Sequence, residues 1–139
     1  MASAKEYTTD RIRNVAVLGH GSSGKTTLID SLCYVAGTSK RLGDVDEGSA
    51  LTMHAPEEHK HGISLQLTPA YAEHMNTKIN LLDTPGYLDF TGEALSAIRV
   101  ADAAIIVVSA SSGVEVGTRR VWRYCEARGI PRIFFVSHM

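Results

Sequence analysis

The chain has 139 residues, 44% of them hydrophobic, which is enough for one globular domain with its own core. Its formal net charge of −1 excludes a generally basic surface of the kind that binds nucleic acid through bulk electrostatics. We find no apolar run as long as a signal-peptide core or a membrane span, so we expect no membrane contact and a cytoplasmic location. Cys33 and Cys125 lie far apart among apolar neighbours, which favours buried thiols over a disulfide or a metal site.

The first predicted elements are a strand and a helix. Residues 1–12 are polar and predict a flexible N-terminal arm, so the folded domain is expected to span residues 13–139. The apolar run at residues 15–18 predicts a buried strand. Apolar residues then recur at helical spacing from Leu28 until Gly37, which predicts a helix that ends there.

A glycine-rich segment joins this strand to this helix. Residues 19–26 satisfy the pattern G-x-x-x-x-G-K-[ST], in which backbone N–H groups and a helix N-terminus surround a polyphosphate. An ordinary glycine-rich turn is the alternative, but the strand before the segment and the helix after it favour phosphate binding. The predicted binding residues are Gly19, His20, Gly21, Ser22, Ser23, Gly24, Lys25 and Thr26. Among them, Lys25 is expected to reach the β and γ phosphates, and Thr26 to bind Mg²⁺.

The next segment, residues 38–61, has no hydrophobic periodicity, and connections of this length are usually functional or disordered. Alternating apolar residues then predict a second strand over residues 63–71, with Pro69 suited to an edge position. A turn near Asn76 leads into a third strand at residues 78–82, so the two strands are expected to form a hairpin.

The third strand is followed directly by Asp83-Thr84-Pro85-Gly86. Ligands bind at the carboxyl ends of parallel strands, so Asp83 is a candidate for a second acidic contact to Mg²⁺. Gly86 offers an unobstructed N–H to a γ-phosphate. The pattern D-x-x-G alone is a common turn, and its pairing with the upstream loop is what favours the functional interpretation.

The rest of the chain alternates between helix and strand. A helix capped by Asp89 or Thr91 is expected, followed by a buried strand at residues 103–108. A third helix carries Val121, Trp122 and Cys125 on its inner face, and a last strand follows at residues 133–136. The order of elements predicts an α/β fold, with a mostly parallel sheet between two layers of helices.

Several motifs give this pattern a specific resemblance over residues 12–136. They are Arg13-Asn14-Val15-Ala16, Gly19-His20, Gly62-Ile63-Ser64, Asp83 to Gly86 followed by Asp89-Phe90, and Ser112-Gly113-Val114-Glu115. The chain resembles the start of the GTPase domain of translation factors, most closely elongation factor G and the elongation-factor-G-like proteins. The resemblance implies a P-loop NTPase three-layer sandwich with one antiparallel edge strand, truncated after its fifth strand.

The resemblance also implies a ligand set. It implies GTP or GDP with Mg²⁺, bound with help from Thr27. It identifies residues 38–61 with the family's first switch, and it places Ser64 where the family's switch threonine coordinates Mg²⁺, beside Thr26 and Asp83. A serine in a strand is the alternative for Ser64. The resemblance also implies the ribosome and its RNA as partners. Arg119 and the neighbouring arginines of the third helix offer a modest basic face for them, or simply a solvated helix surface.

Three departures from the family pattern concern catalysis, base recognition and the sheet edge. Tyr87 stands where elongation factor G has the histidine that orients the attacking water. The resemblance therefore makes Lys25, Gly86 and Tyr87 the catalytic candidates. The alternative for Tyr87 is an aromatic ring that packs against the second switch. Ser137 and His138 stand where the family's Asn-Lys-x-Asp contacts guanine, and its aspartate falls beyond residue 139. A sheet truncated after five strands is expected to expose an edge and some apolar surface, with marginal stability or self-association as the result.

Two functional hypotheses remain from the sequence. The first is a Mg²⁺-dependent GTPase switch acting on the ribosome, slow without its partner. The second is a nucleotide-binding module with little or no hydrolysis that does not act in translocation.

Overall fold

Strands and helices alternate along the chain in a computed structural model that describes residues 5–45, 47–54, 56–61 and 63–139. Within these ranges the elements are β1 (Ile12–Gly19), α1 (Lys25–Val35), α2 (Pro56–His61), β2 (Thr68–His74), β3 (Thr77–Asp83), α3 (Thr91–Val100), β4 (Ala103–Ser109), α4 (Val116–Ala127) and β5 (Arg132–Ser137). In the same ranges, no helix has both the length and the apolar character needed to cross a membrane. The division into an arm of residues 1–12 and a domain of residues 13–139 stays a prediction, and residues 1–4 lie outside the described part.

The five strands form one sheet in the order β2-β3-β1-β4-β5. β1 runs parallel to both β3 and β4, β4 runs parallel to β5, and β2 is antiparallel to β3. This confirms the predicted mostly parallel sheet with one antiparallel edge strand. In the register, Val17 lies beside Asp83 and Gly19 lies beside Val107, so the ends of three strands meet where β1 ends.

Two hydrophobic cores lie on opposite faces of the sheet. One joins α1 to the sheet through Val17 and Ile29, and the other joins α3 and α4 to it through Leu18 and Ile98. Neighbouring residues of β1 point to opposite faces, as the alternation of a strand requires. Ile29 is fully buried, and burial of such a side chain contributes about 2 kcal/mol. The predicted three-layer arrangement is confirmed.

The predicted start of the second strand is wrong, because β2 begins at Thr68. Residues 63–67 do not pair with a strand, since the backbone N–H groups of Leu65 and Leu67 donate to the carboxylates of Glu58 and Glu93, both at 2.8 Å. Pro69 lies on the edge strand, as predicted.

Two local predictions on helices also need correction. The segment of residues 38–61, expected to lack regular structure, contains the six-residue helix α2. Neither Asp89 nor Thr91 caps α3, because Phe90 occupies the N-cap position, Thr91 is the first helical residue, and no side-chain cap bond forms within the described residues. Asp89 lies in a short 3-10 turn, Leu88–Phe90.

The outer strand β5 exposes much of its apolar side-chain surface. Ile133 is 65% exposed, Phe134 55%, and Phe135 and Val136 42% and 45%. The predicted exposed apolar edge is therefore confirmed. Cys33 and Cys125 are both buried and unpaired, as predicted, and burial raises the pKa of each thiol.

Candidate functional site: a phosphate-binding loop with a hydroxyl and carboxylate cluster

The glycine-rich loop begins where β1 ends and finishes where α1 begins. Gly19 has a φ of 154°, and a Cβ at this position would lie 2.5 Å from the carbonyl oxygen of Val107 and 2.8 Å from Ser23 Oγ. Only glycine is therefore compatible with this contact to β4. Backbone packing therefore fixes the start of the loop against the sheet.

Lys25 is the first residue of α1, and its side chain is only 6% exposed. Its Nζ donates a hydrogen bond to the carbonyl oxygen of His20 at 2.7 Å. Desolvation lowers the pKa of Lys25 to about 8, an effect that the negative charge of Asp83 partly offsets. A phosphate anion beside this amine favours its charged form, so the site is electrostatically suited to a polyphosphate.

The three predicted metal ligands come together beside Lys25. Thr26 Oγ1 donates to Asp83 Oδ2 at 2.8 Å, and Ser64 Oγ lies 3.1 Å from Thr26 Oγ1. Ser64 does not lie in a strand, so the alternative role as a strand serine is excluded. Its predicted neighbour Gly62 lies outside the described residues. The contact between Thr26 and Ser64 therefore links α1 to the stretch between α2 and β2.

Asp83 is 1% exposed, and its two carboxylate oxygens differ in their surroundings. Oδ2 accepts the hydrogen bonds, whereas Oδ1 is buried and has no hydrogen-bond partner in the described part of the chain. Burial raises the pKa of Asp83, and the hydrogen bonds from Thr52 and Thr26 act against that rise. An orphaned carboxylate oxygen next to two hydroxyl groups is an oxygen donor set that fits Mg²⁺, which prefers hard oxygen ligands and keeps some of its waters.

Thr52 is a residue of this cluster that the sequence analysis missed. Its hydroxyl donates to Asp83 Oδ2 at 2.5 Å, and its side chain is 2% exposed. It lies in the segment of residues 38–61, where neither spacing nor a motif distinguishes one threonine from its neighbours. The contact spans 31 residues of sequence, and only the folded chain reveals it.

Gly86 and Tyr87 lie directly against the phosphate-binding loop. A Cβ on Gly86 would overlap Lys25 Nζ, the carbonyl oxygen of His20 and the backbone nitrogen of Gly21. The Tyr87 ring covers Gly21, where an added Cβ would lie 2.9 Å from Cζ, and the side chain is still 40% exposed. Tyr87 therefore both packs on the loop and presents surface to solvent.

His20 connects the loop to the start of α4. Its Nδ1 accepts a hydrogen bond from the backbone N–H of Gly117 at 3.3 Å, and its Nε2 lies 3.5 Å from a carboxylate oxygen of Glu115. Glu115 closes the Ser-Gly-Val-Glu motif, and this contact gives that motif a structural role. His20 supports the loop's conformation through its side chain and holds Lys25 through its carbonyl.

Ser137 and His138 reach the loop from the end of β5. Ser137 Oγ donates to the carbonyl oxygen of Ser23 at 2.7 Å, and His138 Nδ1 lies 3.2 Å from Ser109 Oγ. The structure thus brings both predicted residues to the loop, where Ser137 secures its backbone. The Ser23 side chain is buried, and its Oγ has no hydrogen-bond partner among the described residues.

A cavity of about 430 Å³ opens beside the loop. It is lined by Ser22, Gly24, Thr26, Thr27, Leu42, Gly43, Asp44, Val45 and His138. Its volume lies in the range of small-molecule sites. The predicted residues Ser22, Thr27 and His138 therefore face one cavity, bounded on its other side by the first switch segment.

The family follows from a comparison with known proteins. Residues 10–139 match the family described as the elongation factor Tu GTP binding domain. The chain belongs to this family. The match confirms the resemblance to translational GTPases that the sequence motifs carried.

Individual relatives agree with this assignment. The chain is 38% identical over 138 residues to the mitochondrial ribosome-releasing factor 2 of Lodderomyces elongisporus, covering 99% of the chain and 17% of the relative. It is 40% identical over 136 residues to elongation factor G of Thermotoga neapolitana, covering 98% of the chain and 20% of that protein. A solved structure from Thermus thermophilus is 44% identical with a TM-score of 0.87, over 91% of this chain and 19% of that one. The chain thus spans about a fifth of the length of these proteins.

Proposed function

We propose that the chain is the GTP-binding and GTP-hydrolysing domain of an elongation-factor-G-like translation factor, a Mg²⁺-dependent nucleotide switch that acts on the ribosome. The observation that carries this proposal is the convergence of Thr26, Ser64 and Asp83 beside the buried amine of Lys25. These groups come from α1, the stretch that follows the first switch segment, and the end of β3. A ligand that contacts all three couples the conformations of both switches to its own presence.

The reaction is phosphoryl transfer to water. The water oxygen forms a bond to the γ-phosphorus while the bond from that phosphorus to the β–γ bridging oxygen breaks, giving GDP and inorganic phosphate. Lys25 holds the β and γ phosphates, and the backbone N–H of Gly86 orients the γ-phosphate. Bound Mg²⁺ supplies charge neutralisation at the phosphate oxygens, with Thr26, Ser64 and Asp83 as the residues that would hold it.

Tyr87 favours a second candidate function, nucleotide binding with little hydrolysis. A phenol over Gly21 holds a water by hydrogen bonding but lacks the protonation chemistry of an imidazole near neutral pH. In that case the chain reports which nucleotide is bound without turning it over.

Partners and compartment follow from the relatives' names. Ribosome-releasing factor 2 and elongation factor G support a ribosomal partner for this chain. The exposed Arg119 and Arg123 of α4 are candidates for contacts with ribosomal RNA phosphates. Because the yeast relatives are named as mitochondrial, the cytoplasmic location stays a prediction.

The deciding experiment measures phosphate release from GTP with and without ribosomes. We expect slow turnover alone and a large stimulation by ribosomes, with ATP competing poorly for the site. Tyr87→His and Tyr87→Phe separate a role for the hydroxyl from packing on Gly21. If GTP binds tightly but no phosphate appears in either condition, the non-hydrolysing module is the correct function.

We also propose that the exposed β5 edge mediates self-association of this chain. Sedimentation velocity is expected to show concentration-dependent oligomers that Ile133→Glu disperses, because Ile133 is 65% exposed on the outer strand. Val35→Glu, at a residue 84% exposed on α1, is the matched control and should leave the oligomers intact. A wild-type chain that sediments as a monomer at all concentrations contradicts this proposal.

A further inference from the structure

Thr52 is held in place on a segment that has no regular structure around it. Its neighbours Ala50 and Met53 are buried at 6% and 4% exposure, and the backbone N–H of Leu51 donates to Asp30 Oδ1 at 2.8 Å. These contacts anchor the segment on both sides of the threonine. These contacts position the Thr52 hydroxyl so that it donates to Asp83 Oδ2 at 2.5 Å, although Thr52 lies in neither a helix nor a strand.

The two carboxylate oxygens of Asp83 are used unequally. Thr26 and Thr52 both donate to Oδ2, and Oδ1 is buried with no hydrogen-bond partner among the described residues. Leaving a buried acceptor without a hydrogen bond costs free energy. That cost has a functional explanation if the paired hydroxyls fix the carboxylate so that Oδ1 faces an incoming ligand.

We propose that Thr52 is a positioning residue of the magnesium site: by donating to Asp83 Oδ2 it fixes the carboxylate with Oδ1 free for the hydrated metal. The inference rests on the proposed function and adds to it a hydroxyl within the first switch segment, residues 38–61. The two hydroxyls act at different places, since Ser64 contacts Thr26 whereas Thr52 contacts the carboxylate. The first switch segment therefore influences metal affinity through the contact of Thr52 with Asp83, in addition to the contact of Ser64, which follows the segment, with Thr26.

The test removes the Thr52 hydroxyl and follows magnesium rather than turnover. Thr52→Val keeps the shape of the side chain, Thr52→Ser keeps the hydroxyl, and Thr118→Val is the matched control, since Thr118 is 3% exposed in α4. The affinity for a fluorescent GDP analogue is measured across Mg²⁺ concentrations and in EDTA.

We expect Thr52→Val to raise the half-saturating Mg²⁺ concentration about tenfold, as the loss of one buried hydrogen bond predicts. Its affinity in EDTA should stay within about twofold of the wild type, and Thr52→Ser and Thr118→Val should stay within about twofold in both conditions. Thermal unfolding followed by circular dichroism checks the fold, and Thr52→Ala replaces Thr52→Val if the valine variant does not fold.

Two results overturn the inference. In one, Thr52→Val has the wild-type Mg²⁺ dependence; in the other, affinity falls equally in EDTA and in Mg²⁺, which indicates a structural role alone. Failure of the proposed function looks different, because the wild type then binds no guanine nucleotide at any Mg²⁺ concentration. In that case calorimetry with Mg²⁺ alone tests the inference. Weaker Mg²⁺ binding by Thr52→Val than by the wild type supports it, and equal heats of binding overturn it.

Discussion

The phosphate-binding loop and the first switch segment, residues 38–61, border the same cavity but are held by different kinds of contact. The loop is fixed by the backbone of β1 and α1 and by the close approach of Gly19 to Val107. The switch segment is held largely by hydrogen bonds to side-chain carboxylates, including those of Asp30 and Asp83. A structure held by its own backbone stays formed, whereas one held by a few charged acceptors detaches when those acceptors are redirected.

Two buried carboxylates organise most of the switch segment. Asp30 of α1 accepts the backbone N–H groups of Gly43 and Leu51. Glu58 of α2, only 2% exposed, accepts those of His54 and Leu65 at 3.0 and 2.8 Å. Hydrogen bonds to charged groups contribute about 1.5–3 kcal/mol each, so the segment is ordered by a few strong, separable contacts.

The largest expected effect concerns the loop itself. Lys25→Met removes the amine predicted to contact two phosphates and should weaken guanine-nucleotide binding about 1,000-fold, or about 4 kcal/mol. Lys78→Met, at the opposite end of β3 from Asp83, is the control for losing one positive charge. Equilibrium titration with a fluorescent nucleotide measures both. Retained affinity in Lys25→Met means that the loop does not bind phosphates in the proposed way.

The next effect is the pH dependence of the nucleotide-free chain. Below pH 8, Lys25 is charged in both folded and unfolded states, so the folded state carries the full cost of burying it. Between about pH 8 and the ordinary lysine pKa of 10.5 the unfolded chain binds more protons, and the free energy of unfolding rises by up to about 3 kcal/mol. The buried thiols of Cys33 and Cys125, whose pKa values are raised, act in the opposite direction.

The measurement is therefore a difference between two variants. Urea unfolding of wild type and Lys25→Met is compared at pH 7 and pH 10, because the thiol contribution is common to both. Lys25→Met should be more stable by about 3 kcal/mol at pH 7, with the gap closing toward pH 10. A gap that does not change with pH contradicts the desolvation of the Lys25 amine in the folded chain.

The smallest expected effect is the loss of one acceptor that anchors the switch segment. Asp30→Asn leaves one acceptor for two backbone N–H groups and should cost about 2 kcal/mol. Hydrogen exchange should accelerate at Gly43 and Leu51 while the amides of the phosphate-binding loop keep their protection. Asp102→Asn is the matched control, because Asp102 accepts the Asn14 N–H at 2.8 Å at an exposed site. Equal acceleration in both regions contradicts separate anchoring.

The same contrast explains what the sequence predicts well. The strand, loop and helix around Lys25 are local, so periodicity and a motif were sufficient to predict them, and the register of β1 with β3 then placed Asp83 correctly. The β2 boundary was missed because Glu58 and Glu93 occupy the N–H groups of Leu65 and Leu67. Contacts of this kind depend on side chains that are distant in sequence, so no local sequence pattern predicts them.

Thr52 shows the same limit within the site. The sequence motifs predicted Thr26, Ser64 and Asp83 as metal ligands, and each of them has a recognisable sequence context. Thr52 has none, and its role depends on a carboxylate 31 residues away. The same holds for the support that Ser137 gives to Ser23, which joins residues 114 positions apart.

Trp122 gives the chain a built-in optical probe of its outer strand. It is the single tryptophan, its ring is stacked on Phe134 of β5 with centroids 5.3 Å apart and planes at 3°, and the Arg132 guanidinium lies 3.9 Å from its centroid. Both contacts belong to β5, so intrinsic emission reports whether that strand is docked on α4. Dissociation of β5 from α4 can thus be followed by tryptophan fluorescence without a label. Nucleotide binding is measured separately, with a fluorescent nucleotide.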